Sequence, residues 1–199
     1  AHWFFHLFQG RFPSDCVVRF CNYFHLPLQA GCDSVLKAMN RHYDTAAYRA
    51  RVEDLRARVP GISVFADGIA GFPTETEADF ETTYQFIKSV GLCGLHVFSY
   101  SPRPGTKAAA WPQLAHEEIK RRSDALRALD KELRTRFAAS LAGTEQELFM
   151  EERKNGLPGG VTANFQYTVL ENAPDHLKGL VRAKIIRADG PVCYGVTAA

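Results

Sequence analysis

The sequence predicts an α/β fold in which about three parallel strands alternate with helices, followed by a small antiparallel β-barrel. Three observations predict it. Strand-like and helix-like segments alternate between residues 23 and 140, which implies parallel strands joined by right-handed crossovers. Each strand candidate runs into an unusual loop of small and polar residues, as at the ligand-binding ends of parallel sheets. From about residue 141 helical periodicity stops, and glycines and prolines punctuate short β-rich runs. The reading therefore divides the chain into residues 1–140 and 141–199.

The elements follow in order. Tyr23-Phe24-His25-Leu26-Pro27-Leu28 reads as a strand that ends in Gln29-Ala30-Gly31, and Asp33 as the cap of a short helix through Met39. Asp44 or Thr45 can cap the next helix, where Tyr48, Val52, Leu55 and Val59 make one apolar face. Pro60-Gly61 ends that helix, and residues 62–66 form a buried strand. Thr76-Glu77-Ala78-Asp79 resembles a capping box, with Asp where Glu is usual. It opens a helix with Phe80, Tyr84, Ile87 and Val90 on its apolar face and Gly91 as C-cap. Residues 95–98 are the third strand. A long helix follows over residues 116–140, striped by Ile119, Leu126, Leu129, Leu133 and Phe137. The tail places β-rich runs at residues 146–151, 162–170, 180–187 and 192–196. Three parallel strands make an incomplete sheet, so the reading expects more chain ahead of this one, or a piece open on one side.

Bulk properties narrow the class. The 199 residues suffice for one domain with a core, or one and a half. A hydrophobic fraction of 46% with 23% charged residues is ordinary globular composition, so disorder is not expected. The net charge of +2 is weak, so a nucleic-acid partner would have to be held by a local patch. No apolar run is long enough to span a bilayer, and residues 1–10 lack the basic start and cleavage site of a signal peptide. A cytoplasmic protein with no membrane partner is expected. The five cysteines are odd in number and irregularly spaced, which argues against a disulfide framework and fits a reducing compartment. Cys16 and Cys21 read as small buried hydrophobes near a strand, not as metal ligands, and no metal site is expected in this chain.

Three loops carry candidate chemistry: residues 27–31, 67–75 and 100–106. Their small residues let a ligand approach the backbone, and Gln29, Asp67, Glu75 and Arg103 supply polar specificity. Each has a plainer reading as a turn, a helix entry or a surface ion pair; three on one rim favour a site. His25 and His96 lie in apolar strands and read as satisfied core histidines. Gly-x-Ser-x-Gly, P-loop and paired-histidine motifs are absent, which leaves hydrolase and NTPase readings without support. In the tail, Arg182 and Lys184 share one face of a strand, opposite Val181, Ala183 and Ile185. Asn164, Phe165 and Tyr167 offer stacking and hydrogen bonds to RNA. Against this, six basic residues from Thr144 onward face seven acidic ones.

Read in order, these loops resemble the radical-SAM tRNA methylthiotransferase family. His25-Leu26-Pro27-Leu28-Gln29-Ala30-Gly31-Cys32-Asp33, with Met39-Asn40-Arg41, is similar to the family's H-x-P-L-Q-S-G-x-D…M-x-R. Asp67 with Gly71-Phe72-Pro73-Thr74-Glu75-Thr76 is similar to D-x-x-x-G-F-P-G-E-T. Phe98-Ser99-Tyr100-Ser101-Pro102-Arg103-Pro104-Gly105-Thr106 with Ala108 is similar to F-x-Y-S-x-R-x-G-T-x-A. The tail resembles a TRAM domain, and Gly160-Val161-Thr162-Ala163-Asn164-Phe165 resembles a stretch of the branch acting on threonylcarbamoyladenosine.

The resemblance implies the C-terminal portion of a TIM-like radical-SAM barrel followed by a TRAM-like barrel. It implies S-adenosyl-L-methionine (SAM) and 4Fe-4S clusters as cofactors, and transfer of a methylthio group to carbon 2 of N6-threonylcarbamoyladenosine next to the anticodon. Its partners would be the tRNA anticodon stem-loop and the missing N-terminal part of the same protein. By matching position, Gln29, Gly31, Asp67, Gly71, Glu75 and Arg103 would face SAM or substrate, and Asn164, Tyr167, Arg182 and Lys184 would face RNA. Ala30 and Thr74 depart from the family's serine and glycine. The family's C-x-x-x-C-x-x-C motif is absent from this sequence, so the chain alone is expected to hold no cluster and to be inactive. Two other readings stay open: a non-catalytic RNA-binding module, and a methylthiotransferase for a ribosomal protein.

Overall fold

The computed structural model describes residues 21–154, 157–174 and 177–198. The first unit runs β1 (Tyr23–His25), α1 (Asp33–Ala38), α2 (Thr45–Arg58), β2 (Ser63–Ala70), α3 (Glu77–Val90), β3 (Gly94–Ser99) and α4 (His116–Ser140). The strands form a parallel sheet in sequence order, with His25 beside Phe65 and Asp67 beside His96. Alternation along the strands sends Phe24, Val64, Ala66, Ala70, Leu95 and Val97 toward the helices. There they pack with Tyr48, Val52, Leu55, Phe80, Ile87, Leu126, Leu129 and Leu133. The helix periodicities read from sequence thus define one core.

Local chemistry sets the helix ends. Asp44 accepts from the Ala47 amide at 2.7 Å and starts α2. Thr76 and Asp79 make the reciprocal capping box that starts α3, and Gly91 ends it in the left-handed conformation at φ 75°. Asp33 differs from expectation. Cys32 occupies the N-cap of α1 without a side-chain cap, and the Asp33 carboxylate accepts from the Thr45 amide at 2.8 Å. It ties α1 to the start of α2 instead of closing its own helix. The first strand is also shorter than expected, because the chain past Leu26 turns into the rim, and β2 is longer, continuing to Ala70.

The tail holds β4 (Glu145–Lys154), β5 (Leu157–Thr162), β6 (Tyr167–Leu170), β7 (Leu180–Asp189) and β8 (Val192–Thr197), closed as β4-β5-β6-β8-β7. Two expectations change. The run at residues 162–170 is not one strand; it breaks at a turn where Phe165 takes φ 64°. The barrel is not wholly antiparallel, since β6 and β8 pair in parallel. Five strands in a closed ring cannot alternate direction all the way round, so one neighbouring pair must run the same way.

Helix α4 joins the two units. Its 25 residues span about 37 Å at 1.5 Å per residue. Near its start Ile119 packs on Gly71 at the sheet's C-terminal rim. At its end Ala138 and Leu141 pack with Ile185 and Cys193 of the barrel. The β5–β6 turn meets the opposite end of the sheet: the Ser63 hydroxyl donates to the Asn164 carbonyl at 2.6 Å, and the Phe165 ring lies 4.6 Å from that of Tyr23. Among the described residues no helix is long and apolar enough to cross a membrane.

Candidate functional site

The rim above the C-terminal ends of the strands encloses a cavity of about 1090 Å³. Gln29 is bound into it through its backbone: its amide donates to the Asp67 carbonyl and its carbonyl accepts from the Ile69 amide, both at 2.8 Å. Held this way beside β2, Gln29 is buried and takes φ 72°, a conformation unusual for a residue with a side chain. Asp67, Phe98, Tyr100, Arg103 and Trp111 line the same space. Beneath it Phe72 packs edge-on against Tyr100 and Trp111, with centroids at 5.3 and 5.9 Å.

The six residues expected at the rim separate into two groups. Gln29, Asp67 and Arg103 line the cavity. Gly31, Gly71 and Glu75 hold the rim onto the helices. A Cβ on Gly31 would lie 2.9 Å from Phe86, and its amide donates to Thr83 at 3.2 Å, so the loop lies directly on α3. A Cβ on Gly71 would lie 2.6 Å from Ile119. The Gly71 amide donates to the Glu75 carboxylate at 2.9 Å. Arg122 donates to that carboxylate at 2.8 Å and to the Glu75 carbonyl at 2.9 Å, with side chains 5% and 0% exposed. Burial pushes the Glu75 carboxyl up; the hydrogen bonds from Arg122 and Gly71 pull it back without cancelling the shift.

Arg122 has no counterpart in the sequence reading, although a signal existed. It stands three residues after Ile119 and four before Leu126, a charge on the apolar stripe of α4. Asp79, expected as the capping-box acid of α3, also makes contacts that the sequence did not announce. It accepts from Ser34 at 2.7 Å, Cys32 at 3.1 Å and the Thr76 amide at 2.9 Å, fastening the α1 entry to the α3 cap. Partial burial opposes its charge, but these hydrogen bonds outweigh it and hold the carboxyl well below the usual carboxylate range.

The histidines correct an expectation. His25 and His96 are not in the core: both are exposed and stand on the sheet face opposite the helices, the face to which strand alternation also assigns Tyr23, Phe65, Asp67, Ile69 and Phe98, with Phe65 itself buried. His25 Nε2 lies 3.0 Å from Asp67 Oδ1, and its ring meets that of His96 at 5.1 Å. Apolar neighbours in sequence suggested burial, but alternation assigns those neighbours to the other face.

The cysteines are scattered through the fold. Cys21 is exposed and Cys16 lies outside the described residues. Cys93 and Cys193 are buried in different units. Among the described residues no group of three histidine, cysteine or acidic side chains can hold a metal ion. These residues therefore do not fit an iron–sulfur cluster. The donor set of the rim does fit SAM: Asp67 suits a cation, Arg103 a carboxylate, and Phe98, Tyr100 and Trp111 a flat base.

In the tail, Asn164 is buried, accepts from Thr162 Oγ1 at 2.5 Å and sits in the turn that meets the sheet. Tyr167 lies over Gly159, whose Cβ would fall 2.7 Å from the phenol oxygen. Arg182 and Lys184 are exposed on β7, but the ladder sets Glu147 and Glu145 directly beside them on β4. The basic face is thus interleaved with an acidic one.

Comparison with known proteins places this geometry. The Radical SAM superfamily model matches residues 17–87, which contain β1, β2 and the first two rim loops. The chain is 36% identical over 169 residues to a tRNA-2-methylthio-N(6)-dimethylallyladenosine synthase of Endomicrobium trichonymphae, covering 84% of this chain and 40% of the relative. The Aquifex aeolicus protein of the same name is 37% identical, covering 84% and 38%. The threonylcarbamoyladenosine tRNA methylthiotransferase MtaB of Bacillus subtilis is 36% identical over 188 residues, covering 92% and 41%. The chain belongs to the radical-SAM tRNA methylthiotransferase family, and its small C-terminal β-barrel is consistent with a TRAM domain. It spans about two fifths of the length of these curated relatives. Among solved structures, the radical SAM enzyme coproporphyrinogen III oxidase (HemN) of Escherichia coli aligns with a TM-score of 0.46 and 20% identity, over 62% of this chain and 28% of that one.

Proposed function

We propose that this chain forms the substrate-side rim and the RNA-facing barrel of a cytoplasmic tRNA methylthiotransferase. The whole protein would transfer a methylthio group to carbon 2 of N6-threonylcarbamoyladenosine beside the anticodon. The observation that carries the reading is the rim cavity on which the three motif loops converge. When bound, SAM and an iron–sulfur cluster supply the radical chemistry; the cluster's ligands are not among the described residues. Gln29, Asp67 and Arg103 are the residues of this chain that would hold SAM or substrate at the rim.

The choice of threonylcarbamoyladenosine over dimethylallyladenosine rests on the tail. There the Gly160–Phe165 stretch, which resembles that of the threonylcarbamoyladenosine branch, runs from β5 into the turn that meets the sheet. The test is nucleoside mass spectrometry of tRNA from a strain lacking the gene. Loss of the methylthio form of threonylcarbamoyladenosine alone is expected. Loss of the dimethylallyl product instead would reassign the substrate, and unchanged tRNA would reject the reading.

A further inference from the structure

We propose that His25, held by Asp67, contacts the edge of the purine base that the enzyme modifies; this rests on the function proposed above. The pair stands on the sheet face away from the helices, with His25 Nε2 3.0 Å from Asp67 Oδ1. The side chains are 32% and 21% exposed, so the contact is partly shielded, unlike a fully exposed surface ion pair. His96 lies opposite Asp67 in the ladder and edge-on to His25 at 5.1 Å. The core on the other face does not need this trio, since it is built from apolar residues.

The arrangement has the chemistry of a base-binding wall. With the Asp67 carboxylate 3.0 Å from Nε2, the ring favours its hydrogen on that nitrogen, which leaves Nδ1 to accept; a protonated ring offers Nδ1–H to a partner. A purine edge presents ring nitrogens that accept and an amine that donates, so it complements either form. One register step toward the rim, Ile69 pairs with Phe98, which is 53% exposed and lines the cavity. That pair gives a flat apolar surface on which a base can stack while its edge reaches His25. A phosphate is a poorer occupant, because the Asp67 carboxylate opposes it.

The test uses the full-length protein and two anticodon stem-loop RNAs, one with the target adenosine and one with an abasic site there, followed by fluorescence anisotropy. Wild-type protein is expected to prefer the adenosine RNA. His25→Ala should weaken that RNA by about tenfold and the abasic RNA by less than about twofold. His25→Gln keeps a polar side chain of similar reach and guards against a folding defect; it should recover part of the loss. Asp67→Asn should act in the same direction through the imidazole it orients. Equal weakening of both RNAs, no weakening of either, or a wild-type protein blind to the missing base would overturn the proposal. So would a loss of SAM affinity in His25→Ala with RNA binding unchanged, which would give this wall to the cofactor. The function itself stands or falls separately, on the nucleoside profile of the deletion strain.

Discussion

Arg122 on α4 donates to the carboxylate of Glu75 at 2.8 Å, and both side chains are almost wholly withdrawn from solvent. The same guanidinium reaches Glu118 at 2.7 Å and Glu77 at 3.2 Å. It therefore clamps the second rim loop to the long helix that carries the barrel. Removing one partner of such a pair leaves a buried charge uncompensated. Arg122→Ala is expected to cost about 3–5 kcal/mol, read from urea unfolding. Arg122→Met with Glu75→Gln should recover much of that loss, because neither variant side chain is charged. A single variant as stable as the parent would show that water reaches the Glu75 carboxylate.

Asp79 sets a pH dependence of known sign. Its folded carboxyl lies below its ordinary value of 3.8, so the unfolded chain binds the proton more readily. The stability it contributes is present above that value and is lost as pH falls through it toward the lower folded pKa. Thermal melts between pH 6 and pH 3 are expected to fall less steeply for Asp79→Asn than for the parent protein. The variant should also be less stable at neutral pH, by about 1 kcal/mol for the weakened cap alone.

Gly71 answers to two constraints that can be separated. Its φ of 82° disfavours any side chain, and a Cβ would meet Ile119 at 2.6 Å. Gly71→Ala should cost about 1–3 kcal/mol from the backbone alone, and the clash adds to it. Combining it with Ile119→Ala removes the two shortest contacts, at 2.6 and 3.0 Å, and leaves the backbone strain with one tight contact to the remaining Cβ at 3.1 Å. Denaturation of the double variant, compared with Ile119→Ala alone, should show a smaller loss than Gly71→Ala shows in the parent, made up mainly of the backbone part.

The acidic partners of the β7 cations give a test of the barrel face. Glu145→Gln with Glu147→Gln frees Lys184 and Arg182 from their cross-strand neighbours. If RNA meets this face, the double variant should bind anticodon stem-loop RNA more tightly and with a steeper salt dependence. Anisotropy titrations at two or more salt concentrations measure both. Unchanged affinity and slope would move the RNA contact to another face of the barrel.

The local grammar of the chain was legible in sequence. The apolar periodicities of α2, α3 and α4, the Thr76–Asp79 capping box and the Gly91 C-cap all stand where the residues placed them, because each depends on neighbours a few positions away. The rim cavity was legible as well, through loops at the ends of parallel strands. The residues that bind the rim together were not. Arg122 is separated from Glu75 by 47 positions and Asp79 from Cys32 by 47, and nothing local in either segment announces its partner.

The sequence by itself determined the order of elements through α4 and the rim on which the three loops converge, since these follow from periodicity, capping and motif spacing; the family was legible through the resemblance of those loops. Only the tertiary structure decided which rim residues face the cavity and which face the helices. It decided that His25 and His96 stand on the open face of the sheet, and that one pair of strands in the five-stranded barrel is parallel. It also set each cation of β7 beside an acidic residue of β4. The physical reason is common to all four. Side-chain direction, ring closure and strand register are properties of chain segments brought together across long separations, and a residue's neighbours in sequence do not state which of its faces will be covered.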